Sequence, residues 1–376
     1  MTITVALVKE TTPGERRVAL DPGAVAKLVK RGVRVVAEKG AGDAARYPDA
    51  AYADTEFVDD AASALGACDV LVKVHPPSEA EIDALREGAI FAGFTEHDRH
   101  PDAMARMRDR GVTALSFELV PRITRAQTMD ALSSQGTITG YKGAVMAAEL
   151  SGRLFPMLTT AAGTIRPAQV IVIGAGVAGL QAIATARRLG AQVEAYDIRA
   201  DAREQVESLG AKLIDTGVDA TGEGGYAREL TDEEKAKQTE VLAKRLERAD
   251  AVIATAGIPG RPAPKIISAD MVANMKNGAV IVDLRAENGG NCELTQPGET
   301  IEHGGVLIAG PNNVPSLAAV HASEMYGRNL LALLDPVLGE DGVHVDLEDA
   351  VFDACALVHD GVIRHEATRR QIEGEG

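Results

Sequence analysis

The sequence predicts an α/β protein of two doubly wound parallel-sheet domains linked by long helices, and three observations carry that prediction. Short apolar runs alternate with segments of helical periodicity along much of the chain, the pattern of a parallel sheet covered on both faces. A glycine-rich turn joins one such run to a helix between residues 174 and 179. The length of 376 residues and an apolar content of 45% are ample for two cores.

The first domain opens with apolar runs at residues 2–8, 33–38, 70–74, 89–94 and 113–117, each short enough for a buried strand. Residues 23–30, 78–86 and 102–110 separate them with helical spacing. A polar stretch then breaks the alternation. Residues 121–135 read Pro-Arg-Ile-Thr-Arg-Ala-Gln-Thr-Met-Asp-Ala-Leu-Ser-Ser-Gln, and no helix or strand pattern demands their polar side chains, so we read them as a loop. Arg122 offers a planar fork of donors, Gln127 an amide that donates and accepts, and Asp130 a carboxylate. That set suits an uncharged polar ligand such as a carboxamide. The same residues also suit a surface loop whose Arg and Asp pair with each other.

Residues 140–155 read as a long helix crossing into the second domain. There Val170 to Ile173 form an apolar run typical of a buried parallel strand, and residues 177–189 keep apolar side chains at helical spacing. Gly174, Ala175, Gly176, Val177 and Gly179 join the two, which is the dinucleotide fingerprint in its full context. Gly174 allows the tight turn, Gly176 lets backbone approach a pyrophosphate, and Gly179 lets helix pack on strand. The helix N-terminus presents N–H groups to the anion. The next strand, 192–196, ends at Asp197, the expected acceptor for ribose hydroxyls. A carboxylate there repels a 2′-phosphate, so NAD(H) is expected over NADP(H), with Arg199 the residue that would soften the repulsion.

Further strands are expected at 251–255, 279–283 and 306–309. The helical stretch 317–334 is expected to cross back. Residues 1–138 with 316–376 would then form the first α/β domain and 139–315 the Rossmann-like one, with the nucleotide in a cleft between them. The polar, glycine-bearing residues 216–240 stand apart as a loop. Gly222, Gly224 and Gly225 permit large backbone change there, and Tyr226 would close over a nucleotide as a lid; the other reading is an uninvolved exposed insertion.

Composition excludes several classes. With 55 acidic against 39 basic residues the formal charge is −16, which disfavours nucleic acid and anionic lipid as partners. The cysteines, Cys68, Cys292 and Cys355, are too few and scattered for a disulfide framework and have no metal-ligand spacing, nor do the eight histidines, so no metal is assigned and a reducing, cytoplasmic compartment is expected. No stretch approaches the ~18 consecutive apolar residues of a membrane span, and the N-terminus lacks the pattern of a signal peptide.

Five segments together resemble a known family: the loop at 121–134, the fingerprint, Gly-Gly-Tyr-Ala-Arg at 224–228, Ile-Pro-Gly-Arg-Pro-Ala-Pro at 258–264 and Glu-Asn-Gly-Gly-Asn-Cys-Glu at 287–293. They resemble the NAD(H)-binding alpha component of proton-translocating NAD(P) transhydrogenases, in the alanine dehydrogenase/transhydrogenase family, and the resemblance spans nearly the whole chain. It implies direct hydride transfer between NAD(H) here and NADP(H) on a partner beta subunit, coupled to proton translocation by membrane-spanning subunits. It also implies a homodimer, and a cytoplasmic location peripheral to the inner membrane through those partners. Arg122, Gln127, Asp130 and Ser133 would contact and orient the nicotinamide, and Gly225 and Tyr226 would belong to the mobile loop. Because family members with a fused alpha subunit continue into membrane helices, the chain is expected to be the separate subunit of a three-polypeptide system.

Two other readings are kept. In alanine dehydrogenases, which share the architecture and a similar segment at 9–20, Arg17 would bind a substrate carboxylate. This chain, however, has His75 in place of the expected lysine, Thr95 near the catalytic histidine's position, and Glu287 where an aspartate belongs, while His97 and His100 read as surface residues. The remaining alternative is a non-catalytic NAD-binding regulator. Departures from the transhydrogenase pattern are Arg285, where a small residue is expected, and the segment 136–142.

Overall fold

The computed structural model of the chain describes residues 2–199, 201–218, 231–258 and 260–374. The first stretch runs β1 (Thr4–Leu7), α1 (Pro22–Lys30), β2 (Arg34–Glu38), β3 (Glu56–Val58), α2 (Ala61–Leu65), β4 (Val70–Val72), α3 (Glu79–Ala84), β5 (Ile90–Gly93), α4 (Pro101–Asp109), β6 (Thr113–Ser116) and α5 (Ala131–Leu150). It continues through β7 (Leu158–Thr160), β8 (Gly163–Ile165), β9 (Gln169–Ile173), α6 (Val177–Arg188), β10 (Gln192–Tyr196), α7 (Ala202–Ser208), β11 (Lys212–Leu213), α8 (Asp232–Leu246), β12 (Ala251–Ala254), α9 (Ala269–Ala273), β13 (Val280–Asp283), β14 (Thr300–His303) and β15 (Val306–Ala309). The return comprises α10 (Ala319–Leu334), α11 (Ala350–Cys355), β16 (Ala356–His359), β17 (Val362–Ile363) and α12 (Glu366–Glu373).

Two compact units result, Met1–Gln135 with Pro315–Gly376, and Gly136–Val314. The first carries a sheet ordered β17-β16-β6-β5-β4-β1-β2-β3 and the second one ordered β11-β10-β9-β12-β13-β15-β14. In each, strand order reverses beside the first strand of the sheet, between β1 and β4 and between β9 and β12. Both sheets are buried on two faces, as continuous apolar strands require. Val5 and Leu7 of β1 enter one core and Ala6 and Val8 the other; Val170 and Val172 of β9 likewise oppose Ile171 and Ile173. The Rossmann-like α/β architecture is thus what the alternation indicates, with one difference. Pairing turns antiparallel at the edges, in β16 with β6 and β17 and in β14 with β15. Within β16–β17 and β14–β15 short turns replace helical crossovers, at Asp360–Gly361 and at Gly304–Gly305, and such turns can join only antiparallel neighbours.

Four element readings are corrected. The loop of 121–135 is a 3-10 turn, Thr124–Met129, followed at once by α5, which starts nine residues before the expected 140. Asp130 causes this start, because its carboxylate accepts from the Ser133 N–H at 2.8 Å in the manner of an N-cap. Glycines obscure the rest of the helix. They cost helix propensity but allow close approach: a Cβ at Gly140 would lie 2.0 Å from the Ala178 carbonyl oxygen, and one at Gly143 2.5 Å from Leu284 Cδ1. This is the structural basis of the unusual segment 136–142.

The expected loop 216–240 likewise gives way to α8 from Asp232, opened by a capping box in which Thr231 and Glu234 serve each other's backbone N–H. The helix Ala319–Leu334 lies wholly in the first unit, so the chain returns through the 3-10 segment Val314–Ala318 rather than along that helix. Finally, β7 and β8 form a separate antiparallel hairpin whose residues are all exposed. Among the described residues no helix is long and apolar enough to cross a membrane.

Candidate functional site

The glycine turn sits where β9 ends beside β12, the strand-order reversal that forms the ligand crevice of doubly wound sheets. Gly174 has φ +89°, and a Cβ there would lie 2.9 Å from the Ala256 backbone, so only glycine fits. At Gly179 a Cβ would fall 1.8 Å from the Gly174 carbonyl oxygen, which locks α6 against the turn. Gly176 differs: its φ is −77°, and a Cβ would meet no atom of the described residues within 4 Å. Backbone therefore faces open space at that point. No side chain caps α6, so its first turn directs the N–H groups of Val177, Ala178 and Gly179 outward, as an anion requires. The residues present fit a pyrophosphate.

Asp197 follows β10 and is nearly buried, its side chain 7% exposed. It accepts from the Ala175 N–H at 2.7 Å and from the Arg199 N–H, Nε and Nη2, each at 2.9 Å. Thr255, a residue the sequence pattern does not single out, donates from Oγ1 to the carbonyls of Ile173 and Gly174, 3.0 Å each, and ties the turn to β12. Its one signal is a lone hydroxyl directly after an apolar strand.

The two segments that carry much of the resemblance, 258–264 and 287–293, are hydrogen-bonded together beyond β12 and β13. Asn291, fully buried, donates from Nδ2 to Ala256 O at 2.8 Å and Pro264 O at 2.9 Å, and Ala263 N–H donates to Asn288 O at 2.8 Å. Asp283 receives the Cys292 N–H at 3.0 Å and the Thr295 hydroxyl at 2.7 Å. Arg285 lies across Gly257, where a Cβ would stand 2.7 Å from its Nε, so the departure at 285 is accommodated by a glycine.

In the first unit, Arg122 and Gln127 are exposed, and Asp130 and Ser133 are half-buried and joined, the Ser133 hydroxyl donating to Asp130 Oδ2 at 2.6 Å. The back of this segment is pinned to α10: Asn329 Nδ2 donates to Thr128 O at 2.8 Å, and the Ser134 hydroxyl donates to Asn329 Oδ1 at 2.7 Å. Polar groups are thus presented by a rigid support. Capping occupies one acceptor site on each Asp130 oxygen and leaves further acceptor capacity on both. Gly225 and Tyr226 lie outside the described residues.

Of the residues of the alanine dehydrogenase reading, Arg17, His75 and Thr95 are engaged internally, while Glu287 is exposed. Glu15, whose side chain is fully buried, accepts from Arg17 Nε at 2.9 Å and Nη2 at 2.6 Å and from the Ser316 hydroxyl at 2.5 Å, while Arg17 Nη1 donates to Gln135 at 3.0 Å. His75 bridges Glu15 at 2.7 Å and Glu96 at 2.6 Å. Burial works against its charge, but the two carboxylates prevail and push its pKa up to about 9. Thr95 is buried against Ser116 and Glu118. His100 is exposed as expected, but His97 is half-buried and packs edge-on against His365 at 4.8 Å.

Fold and site define a nicotinamide-nucleotide-binding protein of the Rossmann-like oxidoreductase class. The Alanine dehydrogenase/PNT N-terminal domain matches residues 6–139 and the corresponding C-terminal domain residues 143–366, so the chain belongs to the Alanine dehydrogenase/PNT family. It is 44% identical over 380 residues to the first part of NAD(P) transhydrogenase subunit alpha from Rhodospirillum rubrum, covering 98% of this chain and 99% of that relative. It is similar to the crystal structure of transhydrogenase from Sinorhizobium meliloti, with 41% identity, a TM-score of 0.85, and 97% and 99% of the two chains covered. An L-alanine dehydrogenase structure follows at 25% identity and a TM-score of 0.81, with 99% of each chain covered. These similarities support a transhydrogenase-type oxidoreductase role.

Proposed function

We propose that the chain is the NAD(H)-binding subunit of a proton-translocating NAD(P) transhydrogenase. It would exchange hydride directly with NADP(H) on a beta subunit while membrane-spanning subunits couple the exchange to proton movement. The observation that carries this reading is the open backbone at Gly176, set between Asp197 and the uncapped start of α6. When bound, a nicotinamide supplies or receives the hydride. The turn at 174–179 holds the pyrophosphate and Asp197 the ribose. Arg122 and Asp130 grip the carboxamide, with Ser133 fixing the Asp130 carboxylate, and Gln127 sets the direction of the ring. Transfer between two nicotinamides needs no proton removed at the reacting carbon, so the work of these residues is alignment and exclusion of water. The internal pairing of Arg17 with Glu15 disfavours the alanine reading.

The test mixes the purified chain with the NADP(H)-binding component of a transhydrogenase and follows hydride transfer from NADPH to an NAD+ analogue, with alanine plus NAD+ as control. Transfer requiring both proteins, with a silent control, is the expected result; alanine-dependent NADH formation by the chain alone would overturn the reading. In the same assay Gln127→Asn is expected to slow transfer by roughly 10-fold or more while NADH affinity changes by less than about 3-fold. Equal losses of rate and affinity would remove the orienting role.

We also assign the chain to a cytoplasmic homodimer peripheral to the membrane. The β7–β8 hairpin supports the dimer, because Met157, Leu158 and Ile165 are 66%, 43% and 49% exposed along a ribbon that pairs with no further strand among the described residues. Met157→Glu is expected to shift the sedimenting species from dimer to monomer. A dimer of unchanged strength would take the hairpin out of the interface.

A further inference from the structure

A carboxylate has about four lone-pair sites, and all four at Asp197 are filled: the Ala175 N–H and Arg199 Nη2 lie on Oδ2, the Arg199 N–H and Nε on Oδ1. The two backbone donors are fixed by the turn and the strand end. The two guanidinium donors sit on a side chain that is 23% exposed, and rotation about its χ angles removes them together. A ribose diol brings two hydroxyl donors to the same carboxylate. It can be accepted only if the guanidinium withdraws.

We propose that Arg199 is the specificity-determining residue of the nucleotide site, an internal ligand of Asp197 that ribose hydroxyls must displace. The inference rests on the reading of Asp197 as the ribose acceptor. Its consequence has two signs. Against a nucleotide with a free 2′-hydroxyl, Arg199 competes for the acceptor and weakens binding. Against a 2′-phosphorylated nucleotide, the displaced cation remains tethered two residues from Asp197 and offsets the repulsion that a bare carboxylate would exert. Asp197 alone would discriminate sharply between NAD(H) and NADP(H); the pair discriminates less.

Calorimetric titration of the full chain with NADH, NADPH, 5′-AMP and adenosine 2′,5′-bisphosphate reads both effects. Arg199→Met is expected to bind NADH and 5′-AMP about 5-fold tighter and the 2′-phosphorylated pair about 10-fold weaker, each within the range of one charge-assisted hydrogen bond. Arg199→Lys keeps the charge without the fork, and is expected to hold NADPH within about 3-fold of the parent while NADH still tightens. Thermal melting of both variants reports folding independently. Equal weakening of all four ligands in a folded Arg199→Met chain overturns the inference alone, because Arg199 would then be an ordinary binding contact. Failure of the parent chain to bind NADH and 5′-AMP overturns the reading of the glycine turn as well.

Discussion

Gly179→Ala is expected to abolish nucleotide binding and to lower the melting temperature, whereas Gly176→Ala is expected to weaken binding by at least about 10-fold and leave melting unchanged. The contrast follows from two methyl groups in different places. At position 179 the new carbon would stand 1.8 Å from the Gly174 carbonyl oxygen, and neither it nor the backbone opposite can rotate away. Helix α6 must lift off the turn, at a cost of about 3 kcal/mol or more, the upper end of overpacking penalties. At position 176 the backbone angles suit alanine and no atom of the described residues lies within 4 Å, so the fold tolerates the methyl. On the proposed binding mode it projects instead into the space of the pyrophosphate. Calorimetric melting with NADH titration separates the two; equal melting losses in both variants would show that position 176 is structural and not a binding surface.

The second large effect is expected in the buried cluster of the first unit. Glu15→Ala should destabilise that unit by about 3–5 kcal/mol, because it strands the Arg17 guanidinium in the interior without its carboxylate. The cluster also makes stability depend on pH. The His75 pKa is raised from 6.5 to about 9 in the folded chain, so its stabilising charge is fully present below 6.5 and is lost as pH rises through 9. The upper bound on that loss is roughly 3 kcal/mol. On the acid side burial alone would raise the Glu15 pKa, but His75, Arg17 and Ser316 hold it far below the usual carboxylate range, so its contribution survives into strong acid. The urea midpoint of the parent should therefore fall between about pH 6.5 and pH 9, and that of His75→Gln should stay level across the same window. Parallel slopes would assign the titration to another group.

What the sequence discloses and what it hides divide along physical lines. Strands β9, β10, β12 and β13 are legible because a strand covered on both faces must be apolar at most positions. The edge strands β14 and β17 lack that constraint. The same holds for the hairpin β7–β8, which buries nothing. Strand β16, apolar and buried at Ala356, Leu357 and Val358, follows α11 so directly that its short run does not separate from the helix. Helix α8 reads as loop because its first turns are almost wholly charged, although Thr231 and Glu234 spell a capping box. The reading of Asp130 as a ligand-binding group rests on its carboxylate standing outside any pattern. The structure adds that it starts α5, a local task that its position just before an alanine-rich helix could have disclosed. The partnership of Glu15 with His75 is not visible in the sequence, since it joins residues 60 positions apart.

The two sheets make the same notch where strand order reverses, and they treat it in opposite ways. Between β1 and β4 the notch is closed by a keystone: Glu10 receives the backbone N–H groups of Val74 at 2.5 Å and His75 at 3.3 Å, and the Tyr326 hydroxyl donates to Lys73 O at 2.8 Å. Between β9 and β12 the Thr255 hydroxyl only holds the turn from the β12 side, and the backbone at Gly176 is left bare. A doubly wound sheet thus provides a receptor by default, and side chains decide whether it stays one. Function in such a protein can be silenced in one half and kept in the other with neither strand order nor core disturbed, by changing only the residues just beyond the strand ends.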